Sequence, residues 1–183
     1  MKPATRAVGI AESAREEQST LAAAVVRADQ ALDGLEFGQC TVGGLDATDS
    51  VCALLSRLDR PDVQYLLLAG IAPAWFNLFD LHRIHEQFGR PVLSVSFESS
   101  PGLDTALARE FDGAQLAERR KIYERQPTRT ELSVNGGRLW VRAVGTDDPE
   151  RIVRGFTPTG GRPEPLRVAR VAARAGRRFQ TDS

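Results

Sequence analysis

Three segments near the N-terminus carry the period of half-buried strands. Residues 6–11, 20–27 and 35–42 place apolar side chains along extended stretches, and short polar connections at 16–19 and 29–34 separate them. Connections that short favour antiparallel neighbours, so the pattern predicts a three-stranded meander. Asp46-Ala47-Thr48 can then start a helix, because Val51, Leu54, Leu55 and Leu58 recur at helical spacing before Pro61 stops the pattern. The run 63–71 contains Tyr65-Leu66-Leu67-Leu68 without alternation, as expected of a strand covered on both faces. Asn77 is placed to cap the next helix with Asp80 at its third position, closing a capping box. Leu78, Leu81, Ile84, His85 and Phe88 share one face of that helix, and Gly89 and Pro91 end it. Residues 91–97 predict a second buried strand.

The order strand, strand, strand, helix, strand, helix, strand, with right-handed crossovers in its parallel part, resembles the ribonuclease H-like α/β fold. Beyond it the pattern predicts helices at 103–109 and 114–124, then a hairpin from 131–134 to 139–144 through Asn135-Gly136. Helices from Pro149 and from Pro163 complete the chain. The glycine-rich stretch 157–161 is too short to separate domains, so residues 1–183 are expected to form one.

Composition adds limits. The chain has 183 residues, 42% hydrophobic and 26% charged, which excludes a disordered or fibrous protein and is enough for a substantial core. No apolar run approaches a membrane span, and Met1-Lys2-Pro3 does not open a signal peptide, so no membrane partner and a cytoplasmic location are expected. Cys40 and Cys52 are the only cysteines and read as buried free thiols. The zero net charge hides an asymmetry, +6 over residues 151–183 against −6 over residues 1–150. One end of the molecule is therefore suited to an anion.

That positive charge lies mostly on the last helix. Arg167, Arg170, Arg174, Arg177 and Arg178 fall within about 100° of arc, and Val168, Val171, Ala172, Ala175 and Phe179 share the other side. The second face is expected to dock; the first is either a solvated surface or a phosphate-binding stripe. Trp75-Phe76-Asn77 follows the fourth strand, where aromatics either plug the corner or stack on an extruded base. His82 and His85 lie three apart on one helix, but two ligands do not make a zinc site, and packing or surface roles are expected. Gly43-Gly44 and Gly160-Gly161 read as turns, because neither has P-loop spacing.

Several stretches taken together resemble the archaeal endonuclease dU family, itself similar to endonuclease V. They are Val8-Gly9-Ile10, Thr41-Val42-Gly43-Gly44-Leu45-Asp46-Ala47-Thr48, Leu68-Ala69-Gly70-Ile71, Phe76-Asn77 with Asp80, Ile84-His85-Glu86, Gly89-Arg90-Pro91-Val92 and Pro163-Glu164-Pro165-Leu166-Arg167-Val168-Ala169. The resemblance covers nearly the whole chain. It implies a nuclease that cuts nucleic acid near deaminated bases with a divalent metal.

In that family the first strand ends in Gly-Ile-Asp-Asp, the third in Val-Asp-Gly and the fourth in Asp-Gly-Ile. Here the matching positions read Ala11-Glu12, Gly43 and Ala69. The remaining candidate catalytic carboxylates are Glu12, which alternation turns away from Ala11, and Asp46, which is either an N-cap or a ligand. The resemblance therefore implies a deaminated-base repair protein with a degenerate metal site, binding-only or weakly active. Magnesium or manganese is expected only if that site is active, and no other cofactor is. Phe76, Asn77, Arg167, Arg170 and Arg174 are the candidate nucleic-acid contacts. The alternative is a non-catalytic interaction domain derived from the same nuclease fold, with a protein partner or a second copy of itself.

Overall fold

The computed structural model describes residues 1–181. Seven strands form one sheet in the order β3-β2-β1-β4-β5-β7-β6. β1 (Arg6–Arg15), β2 (Gln18–Arg27) and β3 (Leu32–Thr41) are the meander, and β4 (Tyr65–Ala69) and β5 (Val92–Ser96) run parallel to β1. β6 (Thr130–Val134) and β7 (Gly137–Val144) make a hairpin through Asn135 and Gly136, both at positive φ, and β7 docks antiparallel on β5. An Asn-Gly pair fits that turn because both central residues need the left-handed region.

The first hairpin is longer than its apolar pattern. β1 runs on through Glu12-Ser13-Ala14-Arg15 and turns at Glu16-Glu17. Polar residues are tolerated there because this part of β1 extends past the last residue of β1 paired to β4, Ile10. β4 meets its expectation: Leu66 and Leu68 enter the cluster beneath α1 (Ala47–Leu58), while Leu67 enters the opposite one.

The helix after β4 starts later than the pattern implies. A short turn α2 (Pro73–Phe76) intervenes, and α3 (Leu81–Phe88) takes Asp80, not Asn77, as its N-cap. The Asp80 carboxylate accepts from the backbone N–H groups of His82 and Arg83. α4 (Asp104–Glu110), α5 (Gly113–Glu124) and α6 (Pro149–Gly155) lie within a residue or so of their expected starts.

The last helix, α7 (Glu164–Thr181), docks by a face other than the expected one. Leu166, Ala169 and Ala173 are buried on the sheet, while Val171 is 59% and Phe179 76% exposed. The reason is size. A Cβ on Gly9 of β1 would stand 2.1 Å from the backbone of Pro165, so helix and strand meet almost backbone to backbone. Ala11, Ala24 and Ala169 fill the same contact. Only the small-residue face of α7 can approach that closely, and the bulkier apolar face is rotated out toward β3.

Candidate functional site

The ends of β1 and β4 meet beneath α7. Their parallel register runs from Ala7 opposite Tyr65 to Ile10 opposite Leu68, so the next step sets Ala11 against Ala69. Both pack in a small cluster with Ala24, Val26 and Ala169. Alternation sends Glu12 to the other face, where its carboxylate accepts from the Ser19 hydroxyl near Cys40. Burial first, then the charges of Asp46 and Glu12, push the Cys40 thiol up to about 12. It stays protonated and inert at neutral pH.

Asp46 stands at the N-cap position of α1 but gives no side-chain capping bond. Its carboxylate accepts instead from the Thr41 N–H at 3.1 Å, the Thr41 hydroxyl at 2.8 Å and Asn77 Nδ2 at 2.6 Å. Burial acts to raise its pKa, but the bonds from Asn77 and Thr41 outweigh it and hold the carboxyl below the ordinary aspartate range. Asn77 is fully buried, and its Oδ1 accepts from the first N–H of α1 at 2.8 Å. It joins the ends of β3 and α1 and offers nothing to a ligand.

A divalent ion of the magnesium type needs hard oxygen ligands converging on one point. Ala11, Gly43 and Ala69 supply no side-chain oxygen, Glu12 is on the far face, and Asp46 is held by Thr41 and Asn77. These donors do not fit the metal that the family resemblance implies. Among the described residues, no group of three or more His, Cys, Asp or Glu is placed to hold one. His82 and His85 serve as tethers, with ring nitrogens 2.9 Å from the Arg125 carbonyl and 2.7 Å from the Arg90 carbonyl.

The double variant Ala11→Asp with Ala69→Asp should supply the missing donors. In chelator, its thermal midpoint should fall below the parent's, because two carboxylates would share an apolar cluster and repel. Manganese should restore the variant and leave the parent unmoved. Calorimetric titration of both proteins checks this, and micromolar metal binding by the parent at this site would overturn the reading of its donors.

What the strand ends do offer is aromatic and cationic. On the face of α4 and α5, a cavity of about 340 Å³ is walled by Tyr123 and Trp140, with Ser94, Ser96, Arg129 and Arg142 around it. Arg129 lies 5.2 Å from the Trp140 ring centroid and donates to the carbonyls of Glu98 and Ser100, yet its buried Nε has no acceptor among the described residues. Burial, with Arg142 adding to it, lowers the Arg129 pKa. On the α7 face, Ala69, Gly70, Glu98, Arg162 and Arg170 line a smaller pocket, and the two meet at Ser96 and Glu98. Arg170 and Arg174 are exposed, and Arg167 is held by both oxygens of Glu164.

Between these strand ends and α1, the turn α2 has an unusual backbone. Ala74, Trp75 and Phe76 all lie at positive φ, 46°, 59° and 58°. Left-handed helical geometry costs about 1–2 kcal/mol per L-residue, so the surroundings must hold it. The Ala74 carbonyl accepts from the Gly43 N–H at 2.7 Å, and buried Arg119 donates to the carbonyls of Phe76, Gly43 and Gly44. Phe76 is half-buried, edge-on to Phe111, whereas Trp75 remains 55% exposed.

Sequence reasoning missed Arg119, Tyr123, Arg129, Trp140, Arg142 and Arg162. Only one of these groups left a signal. Arg138, Trp140 and Arg142 alternate with Leu139 and Val141, which marks one face of β7 as buried and the other as chemically equipped.

A mixed sheet of this order, with its grooves at the parallel strand ends, has the ribonuclease H-like fold. Solved structures agree. An Archaeoglobus fulgidus protein superposes with a TM-score of 0.82 at 23% identity, covering 93% of this chain and 97% of the other. Ciona intestinalis endonuclease V, in complex with DNA containing inosine, superposes at 0.61 and 11% identity, with 96% and 86% covered. The chain belongs to the endonuclease dU family, whose description matches residues 3–176. Its relatives include UPF0215 proteins of Methanopyrus kandleri, 30% identical over 94% of this chain and 91% of the relative, and Pyrobaculum calidifontis, 31% identical over 94% and 97%.

Proposed function

We propose that this chain binds nucleic acid carrying a deaminated base and does so without metal-supported cleavage. One observation carries the reading: the cavity between Tyr123 and Trp140 opens at the strand ends and is furnished with guanidinium and hydroxyl groups that outnumber its one lining carboxylate, Glu98. Deamination replaces an exocyclic amino donor by a carbonyl acceptor. A cavity equipped with the donors of Arg129 and Arg142 therefore favours the deaminated base, and the aromatic walls supply stacking worth about 1–3 kcal/mol. The volume is within the range of small-molecule sites. Arg170, Arg174 and the edge of Phe76 are the backbone and flanking contacts in this reading, Arg167 is engaged by Glu164, and Asn77 has a structural role. The interaction-domain alternative draws on the exposed Val171 and Phe179.

The test is fluorescence anisotropy in chelator with end-labelled single strands containing one deoxyuridine, one deoxyinosine or neither. The modified strands should bind more tightly, and Trp140→Ala should remove the preference while leaving general binding. No cleavage above a no-protein control is expected with magnesium or manganese. Equal affinity for all three strands, or a preference unchanged in Trp140→Ala, would refute the reading.

A further inference from the structure

Around α7 the arginines fall into two groups. Arg167 is bound by Glu164, Arg154 by Glu150 and Arg138 by Glu131. Arg162, Arg170 and Arg174 form no ion pair among the described residues, although Arg170 and Arg174 lie close enough to Arg162 for their charges to act on it. Arg162 stacks on Phe97, with its guanidinium carbon 4.0 Å from the ring centroid. With Arg170 it lines a pocket of about 210 Å³ whose base is Ala69 and Gly70 at the end of β4 and whose apolar wall includes Val95 and Leu166. Burial first, then the charges of Arg170 and Arg174, lower the Arg162 pKa, and the exposed Glu98 acts in the opposite sense. Three cations thus face one carboxylate, and like charges so arranged repel unless an anion joins them.

We propose that Arg162, Arg170 and Arg174 form a phosphate site at the end of β4, in the place where the family resemblance puts metal-binding carboxylates. A phosphodiester oxygen that a metal would hold through aspartates is held here directly by guanidinium donors, which match phosphate geometry in pairs. The substitution is consistent in charge. Losing acidic side chains at Ala11, Gly43 and Ala69 removes the need for a divalent cation, and an acidic strand end would compete with phosphate for these same arginines. The ligand class is a phosphate mono- or diester, and its binding requires no metal. The inference extends the nucleic-acid reading by naming how the backbone is gripped, but the pocket itself does not depend on which base is recognised.

The probe is inorganic phosphate, titrated against the full chain in chelator at low ionic strength and followed by the side-chain Nε–H signals of arginine in NMR. Saturable shifts are expected in the parent. Arg162→Gln with Arg170→Gln should weaken binding at least tenfold, whereas Arg178→Gln, farther along α7, should bind as the parent does. Circular dichroism confirms that the variants stay folded, as exposed substitutions should. Absence of saturable binding in the parent, a dependence on added manganese, or an unchanged affinity in the double variant would overturn the proposal. Phosphate binding without any preference among the strands would refute the base reading alone. A base preference without phosphate binding would refute this proposal alone.

Discussion

Gly9→Ala should destabilise the protein by about 3 kcal/mol, at the upper end of what overpacking usually costs. The new methyl carbon would stand 2.1 Å from both the carbonyl carbon and the oxygen of Pro165 and 2.7 Å from the Leu166 nitrogen. These are backbone atoms at the start of α7, so no rotamer change relieves the clash. The helix has to lift, and Leu166, Ala169 and Ala173 then lose their seat on β1 and β2. At about 2–4 °C per kcal/mol for a chain of this size, the thermal midpoint should fall by about 6–12 °C. Gly161→Ala is the control, because a Cβ there meets nothing within 4 Å and its φ is ordinary. Calorimetry on the two variants checks the claim, and similar midpoints would mean that α7 does not sit where the close approach places it.

Arg119→Met should be comparably severe. Arg119 is fully buried, and its guanidinium lies 3.7 Å from the Phe111 ring centroid. It donates to Phe76 O at 3.2 Å, Gly43 O at 2.6 Å, Gly44 O at 3.0 Å and both oxygens of Gln115. Burial lowers its pKa, and among the described residues no carboxylate pairs with it; the surrounding carbonyls and the ring offset the charge. Methionine keeps the length and the aromatic contact but leaves the loop carbonyls without a donor, at about 1–3 kcal/mol for each one that water does not reach. The left-handed turn at 74–76 would lose one of the bonds holding it. Arg119→Lys should not rescue, because one ammonium cannot reach three carbonyls spread over two loops. Urea unfolding of the three proteins measures this, and a lysine variant as stable as the parent would show that charge alone suffices.

The consequence for binding follows from the same bonds. Trp75 and Phe76 sit on the turn that Arg119 holds, so a folded Arg119→Met protein should also bind strands less tightly than the parent.

The amino-acid pattern by itself determined the order of elements, the meander followed by parallel strands, and the doubly covered character of β4. These are properties of period and run length, which local sequence states directly. It also placed Ala11 and Ala69 together at the parallel strand ends and turned Glu12 away, since both follow from register and alternation. The tertiary structure alone decided the rest. Hydrophobicity marked two faces of α7 as different, but the face that docks was chosen by the size of its residues against Gly9, which no helical period contains. Asp46 and Asn77 both carry helix-capping chemistry; Asn77 holds the start of α1 and Asp46 is bound by Asn77 and Thr41, because β3 and the turn after β4 converge there. The cavity of Tyr123, Arg129, Trp140 and Arg142 exists because β7 returns antiparallel beside β5 and brings its polar face over α5. Its residues come from separate elements whose pairing, unlike their period, is fixed only by long-range packing.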